Sequence, residues 1–271
     1  MTTTQEFLGI ERINGTRWEM PVSDRVIGGG RGSLFGGCGL AAGVVALEGS
    51  ADRPVVWATG QYLSTVGVGS QLSFDVAFPA MGRSMAQGRT IGRVDDHEII
   101  SVVGALGRRR EEIAGVWREA RPAPGPNESD PLVRHFEAAC IHDHVEVRVA
   151  KGMFGFSGQG EPSADGELVL WLRMPEVDHD AAALALMADY MSAAVGNAAG
   201  VPSRCTSLDN TIRFASRDYD RNGWVRCDAD ITYAGDGVAY GHCHMWSEAG
   251  MLLATASQSM TVGFMQEEDR K

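Results

Sequence analysis

Apolar and polar residues alternate along Gly250–Val262, "GMLLATASQSMTV", with the period of two that is typical of a β-strand. One face of this predicted strand carries Leu252, Ala254, Ala256, Gln258, Met260 and Val262. Because this face is mainly apolar, we expect it to lie against the core. Gln258 is the exception on it, and an amide on a core face requires an explanation.

The same order of strands is predicted twice in the chain. Gly69–Leu106 aligns without a gap on Asn222–Ser259, at an offset of 153 residues. In each copy a strand, a glycine-containing turn, a second strand, an acidic turn and a third strand follow one another. Further strands are predicted upstream of each copy, at "RWEMPV" and "PVVWATGQYL" in the first half and at "DHVEVRVA", "ELVLWLRM" and "SLDNTIRFA" in the second.

Each half also contains one helical stretch rich in small apolar residues, at Phe35–Glu48 and at Asp180–Gly200. Helices with so little charge are typical of buried positions, and small side chains let a helix lie close to a sheet. The sequence therefore predicts an α+β protein in which each half is a curved antiparallel sheet wrapped around one central helix. The proline-rich segment 118–132 is predicted to link residues 1–117 to residues 133–271.

Composition and charge exclude several classes. The chain has 271 residues, 44% of them apolar and 22% charged, which is typical of a globular protein. We expect no membrane span and no signal peptide, and five scattered cysteines without a CxxC pair favour a reduced, cytoplasmic protein. A net charge of −11 argues against a nucleic-acid partner, and only Lys151 and Lys271 are lysines, which excludes a phosphate-binding P-loop.

Candidate chemistry is concentrated in the second half. Asp189 is the only charged residue between Asp180 and Arg204, so its carboxylate is expected to be enclosed with the helix. At the 153-residue offset the counterpart of Gln258 is Ala105, and the first helix has Cys38 at about the place of Asp189. A structural role is possible for either polar residue, but their occurrence together in one half favours a shared site.

The chain resembles the acyl-CoA thioesterase II (TesB-like) family, in which two hotdog units are joined in tandem. "SLFGGCGLAAGVVALE" looks like the first helix of that family, and "GRSMAQGRTIGRVDDHEIISVVGAL" resembles its Gly-Arg-Ser-Phe strand pair. "LMADYMSA", "TSLDNTIRF" and "GMLLATASQSM" resemble the three segments that carry its Asp, its Thr or Ser, and its Gln. The resemblance implies two tandem hotdog units and a catalytic set of Asp189, Ser207 and Gln258.

The implied reaction is hydrolysis of an acyl-CoA thioester. Asp189 would activate a water molecule, or attack as a carboxylate to give an anhydride, while Ser207 and Gln258 position the water. Gly36, Gly37 and Cys38 are expected at the substrate, and backbone amides near a helix start would stabilise the oxyanion. The family usually has Gln where Cys38 stands and an Arg-Pro pair after the aromatic residues of the fourth strand, a pair that "YLSTVGV" and "FASRDYDRN" lack. Both departures lie where the acyl chain and CoA would pass.

Other signals leave alternatives open. Arg108 and Arg109 would bind the phosphates of CoA, or they lie at a solvated strand end. Two His-x-His pairs, in "IHDH" and "GHCHMW", lack further ligands, so we expect neither a metal nor a cofactor. A double-hotdog dehydratase or hydratase would need a His–Asp pair, and a non-catalytic acyl-CoA or lipid binder would keep the fold without turnover. Exposed sheet edges favour a homo-oligomer.

Overall fold

The computed structural model describes residues 1–29, 32–108, 114–133 and 138–265. The α-helices are α1 (Thr4–Leu8), α2 (Gly36–Ala51), α3 (Ala181–Ala188) and α4 (Ala194–Ala199). Short 3₁₀ segments occur at Asp24–Val26, Pro126–Glu128, Ile141–Asp143 and Asp189–Ala193. The strands are β1 (Glu11–Arg12), β2 (Arg17–Pro21), β3 (Val55–Tyr62), β4 (Gln71–Met81), β5 (Met85–Val94), β6 (His97–Gly107), β7 (Asp130–Pro131), β8 (Glu146–Lys151), β9 (Met153–Phe154), β10 (Gln159–Gly160), β11 (Leu168–Arg173), β12 (Ser203–Phe214), β13 (Val225–Gly235), β14 (Val238–Ser247) and β15 (Leu252–Phe264).

Thirteen of these strands form one antiparallel sheet. Its order is β1-β2-β4-β5-β6-β3-β12-β15-β14-β13-β11-β8-β7, and β9 and β10 form a separate pair. The strands of the first half of the chain form one end of this order, and those of the second half form the other end. They meet where β3 pairs with β12, and Thr211 there lies opposite Thr59, with their hydroxyl oxygens 2.8 Å apart.

The strand positions agree with the repeat in the sequence. Strands β5 and β14 are separated by 153 residues at both ends, and β4 and β13 match that offset within one residue. The turn residues themselves are not repeated. In the turn before β6 the residue with left-handed backbone is Asp95, whereas in the turn before β15 it is Gly250. The strand order is therefore a property of the pattern rather than of identical turn residues.

Small residues on α2 let this helix pack tightly against the first half of the sheet. The segment Gly37–Leu47 is buried throughout, and α2 contacts β3, β4, β5 and β6. A Cβ atom added at Gly43 would lie 2.6 Å from the Cγ2 atom of Val102 on β6. Glycine at this position therefore sets how closely the helix approaches the sheet.

The second helical stretch is not one continuous α-helix. The sequence predicts a helix over Asp180–Gly200, but α3 ends at Ala188 and a 3₁₀ segment follows from Asp189 to Ala193 before α4 begins. Ser192 donates its hydroxyl to the backbone carbonyl of Asp189 at 2.8 Å, and such side-chain bonds compete with regular helical hydrogen bonding. The narrower turn at Asp189 lies in the middle of an otherwise buried helix, a position where 3₁₀ geometry often marks a functional segment.

The predicted strand at the end of the chain forms as β15, with one local departure. From Ala254 to Met260 the even-numbered residues are buried, as the alternation predicts. At the beginning of the strand the expectation is wrong, because Leu253 is 2% exposed whereas Leu252 is only half-buried. The register shifts here, since Trp246 pairs with Leu252 and Met245 pairs with Ala254, so Leu253 is the extra residue of a β-bulge.

The proline-rich segment lies along one edge of the sheet. Its end, β7, pairs with β8 at the edge, and Trp171 on β11 donates its indole N–H to the carbonyl of Pro124 at 2.9 Å. Arg121 forms an ion pair with Glu167 at 2.8 Å. Irregular backbone with few N–H donors can pack at an edge, where ladder hydrogen bonds are not required.

Replacing Gly43 by leucine tests the packing of α2. The new side chain must displace Val102, and overpacking of this kind costs about 1–3 kcal/mol of unfolding free energy. We expect Gly43→Leu to unfold at lower urea concentration than the parent protein. Gly263→Ala on β15 is the control, because its Cβ would meet nothing within 4 Å; equal unfolding midpoints for both variants would contradict the described packing.

Candidate active site

The amino end of α2 and the beginning of the 3₁₀ segment meet at the carboxylate of Asp189. Phe35, the N-cap residue of α2, offers no side-chain acceptor to the unpaired N–H groups of the first helical turn. The N–H of Gly37 instead donates to Oδ2 of Asp189 at 2.8 Å. An anion in this position is also stabilised by the positive end of the helix dipole.

Two glycines make this approach possible. A Cβ at Gly37 would overlap the carbonyl oxygen of Leu186 and lie 3.0 Å from the Cβ of Asp189. A Cβ at Gly36 would lie 2.9 Å from Oδ2 of Asp189 and 3.2 Å from the ring of Tyr62. The Phe-Gly-Gly sequence is therefore needed for a close contact between backbone and carboxylate.

Ser207 on β12 and Gln258 on β15 complete the surroundings of the carboxylate. The hydroxyl of Ser207 donates to Oδ1 of Asp189 at 3.2 Å, and Nε2 of Gln258 donates to the same oxygen at 2.5 Å. The same Nε2 atom also donates to Oγ of Ser207 at 2.7 Å. The three residues that the sequence predicts as the catalytic set thus form one hydrogen-bonded cluster.

Burial and hydrogen bonding act on Asp189 in opposite directions. The residue is 3% exposed, and this burial raises the pKa of its carboxyl group above the usual range. Hydrogen bonds from Gly37, Gln258 and Ser207 lower the pKa and oppose the effect of burial. The result is a carboxylate that is held in place from both oxygens and has a raised affinity for a proton, which suits a general base.

A cavity of about 590 Å³ opens beside this cluster. Its volume is within the range of small-molecule sites. The polar residues that line the cavity include Asp189, Ser207 and the cationic residue Arg204. Its apolar wall includes Leu34, Phe35, Tyr62, Val66, Ile99, Ile100 and Phe156. The cavity therefore joins a reactive polar cluster to an apolar surface.

A histidine, His142, also lines the cavity. Nδ1 of His142 lies 2.8 Å from the hydroxyl oxygen of Tyr190, and Phe35 packs edge-on against both rings. Burial lowers the pKa of His142 to about 4, so the ring is neutral at neutral pH. Within the part of the chain that the structure describes, Asp189 accepts hydrogen bonds from an amide N–H, a hydroxyl and a carboxamide.

The other predicted substrate residues occupy different positions. Gly36 lines the cavity and accepts a hydrogen bond from the Tyr62 hydroxyl at 3.0 Å, whereas Cys38 is fully buried and does not line it. Arg108 follows the end of β6, away from the Ile99–Ile100 end that borders the cavity. Arg109 lies outside the described residues. Contact of Cys38, Arg108 or Arg109 with substrate stays a prediction.

Sequence reasoning missed Tyr62, Arg204 and Asn210 near this site. Tyr62 ends β3 and Arg204 begins β12, and neither position stands out until the strands are paired. Asn210 shares the inward face of β12 with Ser207 after a register shift, so simple alternation from Ser207 would place it on the other face. Across the residues that the structure describes, no group of three or more His, Cys, Asp or Glu side chains is arranged to hold a metal ion, and no helix is both long and apolar enough for a membrane span.

Comparison with solved structures defines the fold class first. A protein with a hot dog fold from Alicyclobacillus acidocaldarius aligns over 96% of this chain and 97% of its own, with a TM-score of 0.84 and 18% identity. The acyl-CoA thioesterase II TesB2 of Mycobacterium marinum aligns over 97% of this chain and 99% of its own, with a TM-score of 0.74 and 18% identity. The chain therefore has a hotdog fold built mainly from antiparallel sheet.

A nearer likeness gives the family. A candidate thioesterase from Novosphingobium aromaticivorans is 31% identical, covering 93% of this chain and 97% of its own, with a TM-score of 0.83. The family model for the acyl-CoA thioesterase C-terminal domain matches residues 106–262, more than half of the chain. A search of curated proteins finds no match. The chain belongs to the acyl-CoA thioesterase family and is a thioesterase.

The contact between α2 and Asp189 predicts an unequal effect of two glycine substitutions. Gly37→Ala places a methyl group against the Leu186 carbonyl, so it should push α2 away from Asp189 and lower both stability and thioesterase activity. Gly39→Ala is the matched control on the same helical turn, because its Cβ would meet the flexible side-chain ends of Ile100 at 3.2 Å and Leu34 at 3.5 Å and no backbone atom within 4 Å. Urea unfolding and free-thiol release measure the two effects; equal behaviour of the variants would contradict this geometry.

Proposed function

We propose that this thioesterase hydrolyses an acyl-CoA thioester with water activated by Asp189. The observation that supports this most directly is a buried carboxylate at a cavity wall, held by donors from Gly37, Ser207 and Gln258. Family membership supports the reaction class, and the hydrogen-bonded cluster supports the choice of residues.

In the proposed step, a water molecule contacts Asp189 and the hydroxyl of Ser207 in the cavity. Asp189 takes a proton from the water while the water oxygen attacks the thioester carbonyl carbon. The tetrahedral intermediate then collapses, the carbon–sulfur bond breaks, and the proton held by Asp189 passes to the departing CoA thiolate. The products are a free carboxylic acid and CoA, and the base returns to its ionised form.

Ser207 and Gln258 act as positioning groups in this proposal. Ser207 already donates to Asp189 and accepts from Gln258, so its hydroxyl has one acceptor position left for water. Gln258 donates to both partners and fixes their separation. A serine in this arrangement lacks the imidazole partner that would make it a nucleophile.

The amino end of α2 supplies positive potential at the reacting carbonyl. Gly36 lines the cavity at this helix end and lies beside Asp189. Backbone N–H groups and the helix dipole favour negative charge that develops on a thioester oxygen. The same helix end therefore serves the base and the oxyanion.

The residues that line the cavity suit the two parts of the substrate at different places. The acyl group would occupy the apolar wall formed by residues such as Phe35, Ile99 and Phe156. The CoA portion carries phosphate groups, and Arg204 is exposed at the beginning of β12 and lines the cavity. We therefore assign the phosphate end of CoA to the side of the cavity near Arg204.

The repeat supports a finer description of the architecture. We propose that residues 1–117 and 133–271 are two tandem hotdog units joined by residues 118–132, with α2 as the central helix of one and α3 to α4 as that of the other. The strands related by the 153-residue offset support this division. Homo-oligomerisation and a cytoplasmic location stay predictions.

Asp189→Asn tests the proposed base. The amide keeps the size of the side chain but cannot accept the proton, so we expect hydrolysis of acyl-CoA to fall by about 10²- to 10⁴-fold. A panel of acyl-CoA substrates with free-thiol detection measures this.

Asp180→Asn is the matched control for that experiment. Asp180 is also a carboxylate of the second helical stretch with a pKa raised by burial, and asparagine can replace it as the N-cap of α3. The control should retain activity. A fully active Asp189→Asn protein would exclude the proposal, and thermal stabilisation by acyl-CoA without thiol release in the parent would indicate a binder.

Arg204→Ala tests the orientation of the substrate. Exposed ion pairs are worth about 0.2–1 kcal/mol, so KM for acyl-CoA should rise by up to about fivefold. KM for the N-acetylcysteamine thioester of the same acid, which has no phosphates, should not change. Arg213→Ala on the same strand is the control, because Arg213 is exposed but does not line the cavity; equal changes for both thioesters would contradict the assignment.

A further inference from the structure

Asn210 is a buried polar residue beside the proposed base. It lies on β12, directly opposite Gln258 on β15 and Gly60 on β3. The residue is 0% exposed. Among the described residues, neither its Nδ2 nor its Oδ1 atom has a hydrogen-bond partner. Oε1 of the neighbouring Gln258 is likewise buried and without a partner there.

An unpaired buried amide is costly. A buried donor or acceptor that has no hydrogen-bond partner loses its bonds to water without replacing them, which destabilises the folded protein. The neighbouring strand β3 buries only Ala58 and Gly60 in this part of the sheet, so a polar group is not required for packing. A polar side chain that is retained at this cost is better explained by the site than by the core.

We propose that Asn210 is a positioning residue for Asp189, whose amide nitrogen donates to the carboxylate during the reaction. The proposal rests on the proposed function of Asp189 as the base. Gly37, Ser207 and Gln258 approach this carboxylate from α2, β12 and β15, and Asn210 adds a donor from the inward face of β12. Its role is to fix the carboxylate and to keep it ionised.

Electrostatics support this geometry. The Asn210 side chain lies close enough to Asp189 to lower the pKa of its carboxyl group, in the same direction as the three hydrogen-bonded donors. Removing the amide should therefore raise that pKa. A base acts only when it is deprotonated, so the acid limb of the kcat–pH profile should move to higher pH.

The other titratable groups around Asp189 leave this readout clear. They lie on α2, β3, β12 and the 3₁₀ segment, and burial raises the pKa of each: Cys38, Tyr62, Cys205 (to about 11) and Tyr190. All four are uncharged in the acid range. His142, with a pKa of about 4, contacts Tyr190 and is unchanged in the variants below.

Asn210→Leu keeps the approximate shape of the side chain and removes the amide. Hydrogen bonds to charged groups are worth about 1.5–3 kcal/mol, so we expect kcat to fall by about 10- to 100-fold with little change in KM. The acid limb should move to higher pH. Thr211→Val is the control, because Thr211 is the next buried polar residue on β12 and bonds Thr59 on the other face; it should affect stability alone.

Two smaller variants keep the test decisive if leucine disturbs folding. Asn210→Ser retains a hydroxyl donor and Asn210→Ala does not, so the serine variant should have the higher kcat. Wild-type kcat and an unshifted acid limb in a folded leucine variant, or equal kcat for the serine and alanine variants, would overturn the proposal. Asp189→Asn measured in parallel separates the two hypotheses: if it is inactive while the Asn210 variants are normal, only the role of Asn210 fails.

Discussion

A buried carboxylate must receive hydrogen bonds from several directions, or it takes up a proton and loses its charge. Asp189 meets this requirement with donors from parts of the chain that are far apart in sequence, since Gly37 is 152 residues away and Gln258 is 69 residues away. The two helices and the strands β12 and β15 must all be in place before the carboxylate is satisfied. Local chemistry at one residue therefore depends on the packing of the whole fold.

The same requirement explains why small residues are concentrated in α2. A helix end can donate to a carboxylate only if no side chain separates them, and Gly36 and Gly37 remove that obstacle. Gly43 lets the helix lie close to β6. From Asp189 onward the chain forms a 3₁₀ turn and not a continuous α-helix, and the Asp189 side chain points toward the amino end of α2. Glycines on α2 therefore allow both the close packing of the helix on the sheet and the contact of its amino end with the carboxylate.

Much of this arrangement can be predicted from the sequence, and the remainder depends on tertiary contacts. Alternation identifies β15, the internal repeat identifies the succession of strands along the chain, and the asymmetry between halves singles out Asp189 and Gln258. The bulge at Leu253 leaves no local signal, because it arises from the pairing of β15 with β14. The end of α3 after Ala188 is accompanied by a local bond from Ser192 to the carbonyl of Asp189, but alanine-rich sequence on both sides favours a continuous helix. Asn210 is missed for the same reason as the bulge, since a register shift beside Ser207 changes the face on which it lies.

The pairing of β3 with β12 limits how the cavity can admit its ligand. Backbone hydrogen bonds run across this seam from Trp57 to Gln61, so a hinge between the two sides would have to break a continuous ladder. Entry past Ser64 and Thr65, exposed residues that follow β3 and line the cavity, requires no such hinge. A ligand that enters in this way leaves the backbone ladder between β3 and β12 unbroken.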